Sequence, residues 1–140
     1  MDDLPTFSPT LQCQANAAAL LAGLMAAESK TAWIASSDQK LIRRCLTNAS
    51  SVDGMDLALN SINVLNSFVG GDPRGGNILM EVGIEPVLDL VRTKVDVRLQ
   101  EGALDLLCET ACHQSTRSAL VSSGVLTVLA GWCVSGIKYL

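Results

Sequence analysis

The sequence predicts an all-α chain made of about three copies of a three-helix unit. Three observations predict it. The stretch Met80-Glu-Val-Gly-Ile-Glu-Pro-Val-Leu-Asp-Leu90 recurs, loosened, forty-one positions later as Val121-Ser-Ser-Gly-Val-Leu-Thr-Val-Leu-Ala-Gly131. Apolar residues recur at three- and four-residue spacing along most of the chain, and nothing alternates with a period of two. The composition is 49% hydrophobic but only 4% aromatic, so the apolar mass is Leu, Val, Ile and Ala, a mix suited to closely packed helices. At 140 residues the chain is one domain or part of one, long enough to remove roughly two-thirds of its unfolded surface from water.

Residues 1–9 read as a polar lead-in, with Ser8 as a cap and Pro9 in the first turn of the first helix. A repeat domain then spans 10–134, and 135–140 form a tail. The first helix covers 10–27, where Leu20, Leu21 and Leu24 make an apolar stripe and the alanines admit a close neighbour. A short helical segment comes next, over 31–35. Ser36-Ser37-Asp38 is expected to break the chain, with Asp38 capping a helix to about Leu46. The next long helix is expected from near Asp53 to Val69, with Leu57, Ser61, Ile62, Leu65, Phe68 and Val69 on one face. Gly70-Gly-Asp-Pro-Arg-Gly-Gly76 has the composition of a loop.

Beyond that loop, Asn77–Val82 should be a short helix stopped by Gly83, and Pro86 should sit in the first turn of the next, which ends near Thr93. Asp96 is placed to cap a long helix to about His113. A short helix over 117–122, a break at Gly124 and a last helix from Val125 to about Val134 complete the pattern.

Overlaid, the short-plus-middle pairs fall at 31–47, 76–93 and 117–134, and the long helices at 10–27, 53–69 and 96–113. Leu57, Ile62, Val64 and Leu65 match Leu99, Leu104, Leu106 and Leu107. One such unit cannot cover its own apolar face, and stacking buries it against the next. Residues Leu79-Met-Glu-Val-Gly-Ile-Glu-Pro-Val-Leu-Asp-Leu90 and Leu99-Gln-Glu-Gly-Ala-Leu-Asp-Leu-Leu107 resemble the armadillo repeat family, over nearly all of 10–134. The two-helix HEAT repeats are the nearest alternative, and the Gly83 and Gly124 breaks favour armadillo. The resemblance implies a short right-handed α-solenoid whose long helices line a concave, protein-binding side.

Members that hold nuclear-localisation peptides carry Trp and Asn four apart on the third helix. Here the Asn positions correspond to Gly23, Val64 and Leu106, and the Trp positions to Ala19, Asn60 and Gly102. That binding mode is therefore not expected. What the long helices do offer is a neutral polar face, Asn60, Asn63 and Ser67, and an acidic one, Glu101, Asp105 and Glu109, with His113 at its end. On the implied geometry, Asn60, Asn63, Ser67, Asp105, Glu109 and His113 are the candidate partner-binding residues. Their acidity suits a partner bearing Lys or Arg.

Catalysis and cofactors are not expected. The chain has one His, and Cys112 and His113, adjacent on a helix, point about 100° apart. Cys108, Cys112 and His113 make a minor alternative as a metal site, which lacks a fourth ligand unless Cys133 approaches. The glycines of 70–77 suggest an anion cradle, but the phosphate-loop pattern is not met. Net charge is −4 with scattered basic residues, which disfavours nucleic acid. No apolar run is long enough to span a membrane. The five cysteines, without a basic leader at the acidic start, suggest free, mostly buried thiols in a reducing, cytoplasmic setting, with nuclear or cytoskeletal places also open. The pattern ends after a middle helix, so an open, apolar C-terminal end (Trp132, Ile137, Tyr139) is expected, through which the chain pairs with itself or joins a larger assembly as a structural subunit.

Overall fold

The computed structural model describes residues 10–27, 30–51, 54–70, 73–93 and 96–138. The lead-in with its Ser8 cap, the expected start at Asp53, Gly71-Asp72 and Tyr139 lie outside the described residues, as do the side chains of Ile34 and Ile137. Eight helices are present among the described residues: α1 (Leu11–Ala27), α2 (Lys30–Ala49), α3 (Met55–Val69), α4 (Pro73–Val82), α5 (Glu85–Arg92), α6 (Val97–Ala111), α7 (Gln114–Ser122) and α8 (Val125–Lys138). No described residue is in a strand, so the protein is all-α.

The helices pack in two parallel successions. The long helices α1, α3 and α6 form one, α1 against α3 and α3 against α6. In the other, α2 packs on α4, α4 on α7, and α5 on α8. Helix α3 is the hub, because it also touches α2 and α4. Its buried residues, Leu57, Ala58, Ser61, Ile62, Val64, Leu65, Phe68 and Val69, recur every three or four positions and wrap more than one side of the helix. All of these except Leu57 and Ser61 join Ile42, Leu79, Leu88 and Leu106 in one continuous core. Each such large side chain contributes about 1.5–3 kcal/mol when fully buried.

Local chemistry explains most of the boundaries. Asp96 caps α6, its carboxylate accepting from the backbone N–H of Arg98 at 2.8 Å and of Leu99 at 3.4 Å. The Arg98 guanidinium, and after it these backbone N–H groups, hold the Asp96 carboxyl below its ordinary pKa. Pro86 lies in the first turn of α5, where its missing N–H removes no helical bond. Gly83 (φ 123°) and Gly124 (φ 91°) separate α4 from α5 and α7 from α8 in a backbone region that side chains disfavour. Between elements, the buried Gln100 amide donates to the carbonyl of Thr93 at 2.7 Å, tying α6 to the end of α5. The Trp132 indole N–H donates to Val91 O at 2.9 Å and ties α8 to the same place.

Four expectations are corrected. The break at Ser36-Ser37-Asp38 does not occur. Helix α2 runs unbroken from Lys30 to Ala49, and Asp38 is inside it rather than capping it. The alignment that puts Ile34 on Met80 puts Ser37 where Gly83 stands. This helix contains neither Gly nor Pro, so nothing in it takes the positive φ that splits the other two pairs.

The second correction concerns the glycine-rich stretch, which is not a loop as far as Gly76. Helix α4 begins at Pro73 and includes Gly75 and Gly76. A Cβ on Gly75 would overlap the carbonyl oxygen of Phe68, so the glycine lets α4 lie against the end of α3. With 73–76 in the first turn of a helix, the loop expected as an anion cradle is not present there. Third, the last helix does not stop near Val134 but continues to Lys138.

Fourth, the thiols are not mostly buried. Cys45 is buried, but Cys13, Cys108, Cys112 and Cys133 are exposed. On α6 the buried stripe is Leu99, Gln100, Ala103, Leu106, Leu107 and Thr110, and positions 108 and 112 fall beside it rather than on it. Burial pushes the Cys45 thiol up to about 11.

Candidate functional site

Helices α3 and α6 approach closely because of Gly102. A Cβ there would stand 2.5 Å from Ile62 Cγ2, and the Asn66 amide donates across the contact to Gly102 O at 3.2 Å. The same amide donates to Ile62 O within α3, also at 3.2 Å. Two acceptors on one NH2 group fix which way the Asn66 amide faces. Where the helices lie alongside each other, their polar flanks leave an open groove of about 650 Å³. It is lined by Asn63, Asn66, Ser67 and Gly70 from one side and Asp105, Cys108 and Glu109 from the other.

Four of the six sequence-predicted residues meet there: Asn63, Ser67, Asp105 and Glu109. The other two stand elsewhere. Asn60 is half-buried at the contact with α1, where its amide donates to Ala15 O at 2.9 Å. His113 is the residue before α7, half-buried, with its Nε2 enclosed and without a hydrogen-bond partner. It does not line the groove. Ser67 serves both sides, since its hydroxyl also makes a long 3.5 Å contact to Ala22 O on α1.

Three lining residues escaped the sequence reading: Asn66, Gly70 and Cys108. Asn66 and Cys108 carry a signal of their own, for each stands three positions after a residue that was chosen, Asn63 or Asp105, and so shares its helix face. Val64 and Leu106, beside these lining residues on the same helices, are buried in the core. The groove wall is therefore built from neighbouring positions on each helix.

The electrostatics of the groove are one-sided. Among the described residues neither Asp105 nor Glu109 has an ion-pair or hydrogen-bond partner for its carboxylate. With Glu101 they stand at i, i+4 and i+8 along α6. Like charges at that spacing cost a helix about 0.2–0.5 kcal/mol per pair. The basic residue nearest in sequence, Arg98, is occupied by Asp96 at 3.2 Å. Opposite, the Asn63, Asn66 and Ser67 side chains add polar groups without charge.

Among the described residues no group of three or more His, Cys, Asp or Glu side chains is placed to hold a metal ion. The Cys108–Cys112–His113 alternative thus finds no ligand set there. No helix among the described residues is long and apolar enough to cross a membrane. Comparison with protein-family models, curated proteins and solved structures finds no match to this chain.

Proposed function

We propose that the protein is an armadillo-like solenoid acting as a non-catalytic scaffold, and that the groove between α3 and α6 receives a partner segment bearing Lys or Arg. The observation that carries this reading is the pair of unpartnered carboxylates, Asp105 and Glu109, one turn apart in an open groove. A stripe of repelling charges costs the isolated helix stability and offers a bound cation two anchors. Support for the solenoid comes from the two parallel successions of helices and from the repeated Gly break at positions 83 and 124. The test is an affinity pull-down with mass spectrometry on wild type and on Asp105→Lys/Glu109→Lys. The reading expects partners rich in basic segments that the double variant loses. Retention of every partner by the variant contradicts it.

A second reading, a structural subunit joined through its ends, is favoured by separate observations. Helix α1 leaves Leu20 65% and Leu24 46% exposed, and α8 leaves Leu126 59% exposed. Helices α1 and α8 thus both carry uncovered apolar side chains. In this reading the Leu20→Glu/Leu24→Glu variant stays folded and loses its place in the assembly. Unchanged co-purification of that variant argues against it.

A further inference from the structure

We propose that the groove's occupant is a second copy of this chain, presenting the basic face of its own α2. The inference rests on the proposed groove function and names the partner. Lys40, Arg43, Arg44 and Thr47 stand at i, i+3, i+4 and i+7 on α2, which places them on one face. Leu41 lies with them on the same surface patch. Arg43 and Arg44 are exposed and are the only adjacent pair of basic residues in the chain. The Arg43 guanidinium donates to the neutral amide oxygen of Gln39 at 3.0 Å, which leaves its charge uncompensated. Among the described residues Arg44 has no ion-pair partner.

One chain thus carries two open surfaces of opposite sign, with Asp105 and Glu109 on one and Arg43 and Arg44 on the other outside any ion pair among the described residues. Asp105 and Glu109 are one turn apart, about 6 Å along the axis. Two neighbouring arginines span that distance, and a guanidinium engages a carboxylate through two parallel N–H bonds. A helix laid into a groove is a common recognition geometry, and α2 is the longest helix described. The contact joins two different surfaces, so it is either made twice in a two-fold dimer or repeated head-to-tail in a ring or chain. Being electrostatic and solvent-accessible, it weakens as salt shortens the screening length.

The experiment is sedimentation velocity over a wide concentration range, at about 50 mM and about 500 mM salt. Wild type is expected to gain mass with concentration at the lower salt and to lose it at the higher. Asp105→Lys/Glu109→Lys and Arg43→Glu/Arg44→Glu are each expected to be monomeric, because in each variant both surfaces carry one sign. Mixed in equal amounts, the two variants are expected to associate again, since every groove then meets an α2 of opposite charge. That recovery also shows that both variants are folded. A wild type that stays monomeric, or association that neither variant disturbs, overturns the proposal. If wild type is monomeric while the groove variant still loses its partners in the pull-down, self-docking fails and the groove reading stands. If the groove variant both self-associates as wild type does and keeps its partners, both fail.

Discussion

The N-terminal unit and the two C-terminal units solve the same packing problem with different backbones. In the C-terminal units a glycine with positive φ, Gly83 or Gly124, turns a short helix into a second one, and each pair packs as two pieces. In the N-terminal unit the corresponding position is Ser37, and α2 runs straight through for 20 residues. It still packs on both α3 and α4. A glycine at positive φ accompanies the split in both C-terminal units, and α2, which has none, stays a single helix. The second half of this helix carries Lys40, Arg43 and Arg44 on a single face.

The largest expected effect tests the close approach on which the split units depend. Gly75→Ala puts a methyl group onto the Phe68 carbonyl oxygen, and backbone cannot yield as a side-chain end can. We expect a loss of about 3 kcal/mol, read from urea unfolding. A change within a few tenths of wild type would mean that α4 does not lie where described.

Next is the pH dependence of the continuous helix. Cys45 is buried and its thiol is raised from 9.0 to about 11. The unfolded chain releases this proton near pH 9 and the folded one only near 11, so the unfolded state binds fewer protons in between. The contribution is fully present below pH 9, falls as pH rises, and is gone once the folded thiol ionises. The loss is on the order of 2–3 kcal/mol. Cys45→Ala should remove that slope from the pH profile of stability, whatever its own cost in packing. An unchanged slope means that the α2 stripe is wetter than the structure shows.

A smaller pair of effects addresses the break itself. Gly83→Ala strains a backbone at φ 123° and should cost about 2 kcal/mol, although space around it is open. Ser37→Gly, at the matching point of α2, should cost only about 0.5 kcal/mol as a helix-interior glycine. A Ser37→Gly variant more stable than wild type would mean that the N-terminal unit is broken like the others.

How much was legible depends on where the deciding physics sits. Asp96, Pro86, Gly83 and Gly124 act within a few residues of themselves, and each boundary they mark was readable. Ser36-Ser37-Asp38 resembles a break by composition, but its neighbours on both sides support a helix and nothing forces a turn. The glycines at 75 and 76 look like loop residues until α3 is beside them. Their role is set by a contact that only packing creates. The groove divides in the same way. Asn63, Ser67, Asp105 and Glu109 were legible as polar faces of amphipathic helices. Asn60 was drawn into the α1 contact by a backbone carbonyl, and the only sign that Cys108 faces outward is the helix face it shares with Asp105.

The measurement that bears most directly on the groove is a two-dimensional amide NMR titration of the labelled protein with a short Arg- and Ala-containing peptide. The account predicts saturable shifts at the side-chain amides of Asn63 and Asn66 and at the backbone of Asp105 to Glu109. Those shifts should disappear in Asp105→Lys/Glu109→Lys and be absent with an acidic peptide of the same length. Shifts that map instead to the exposed leucines of α1, or that persist in the charge-reversed variant, would contradict it.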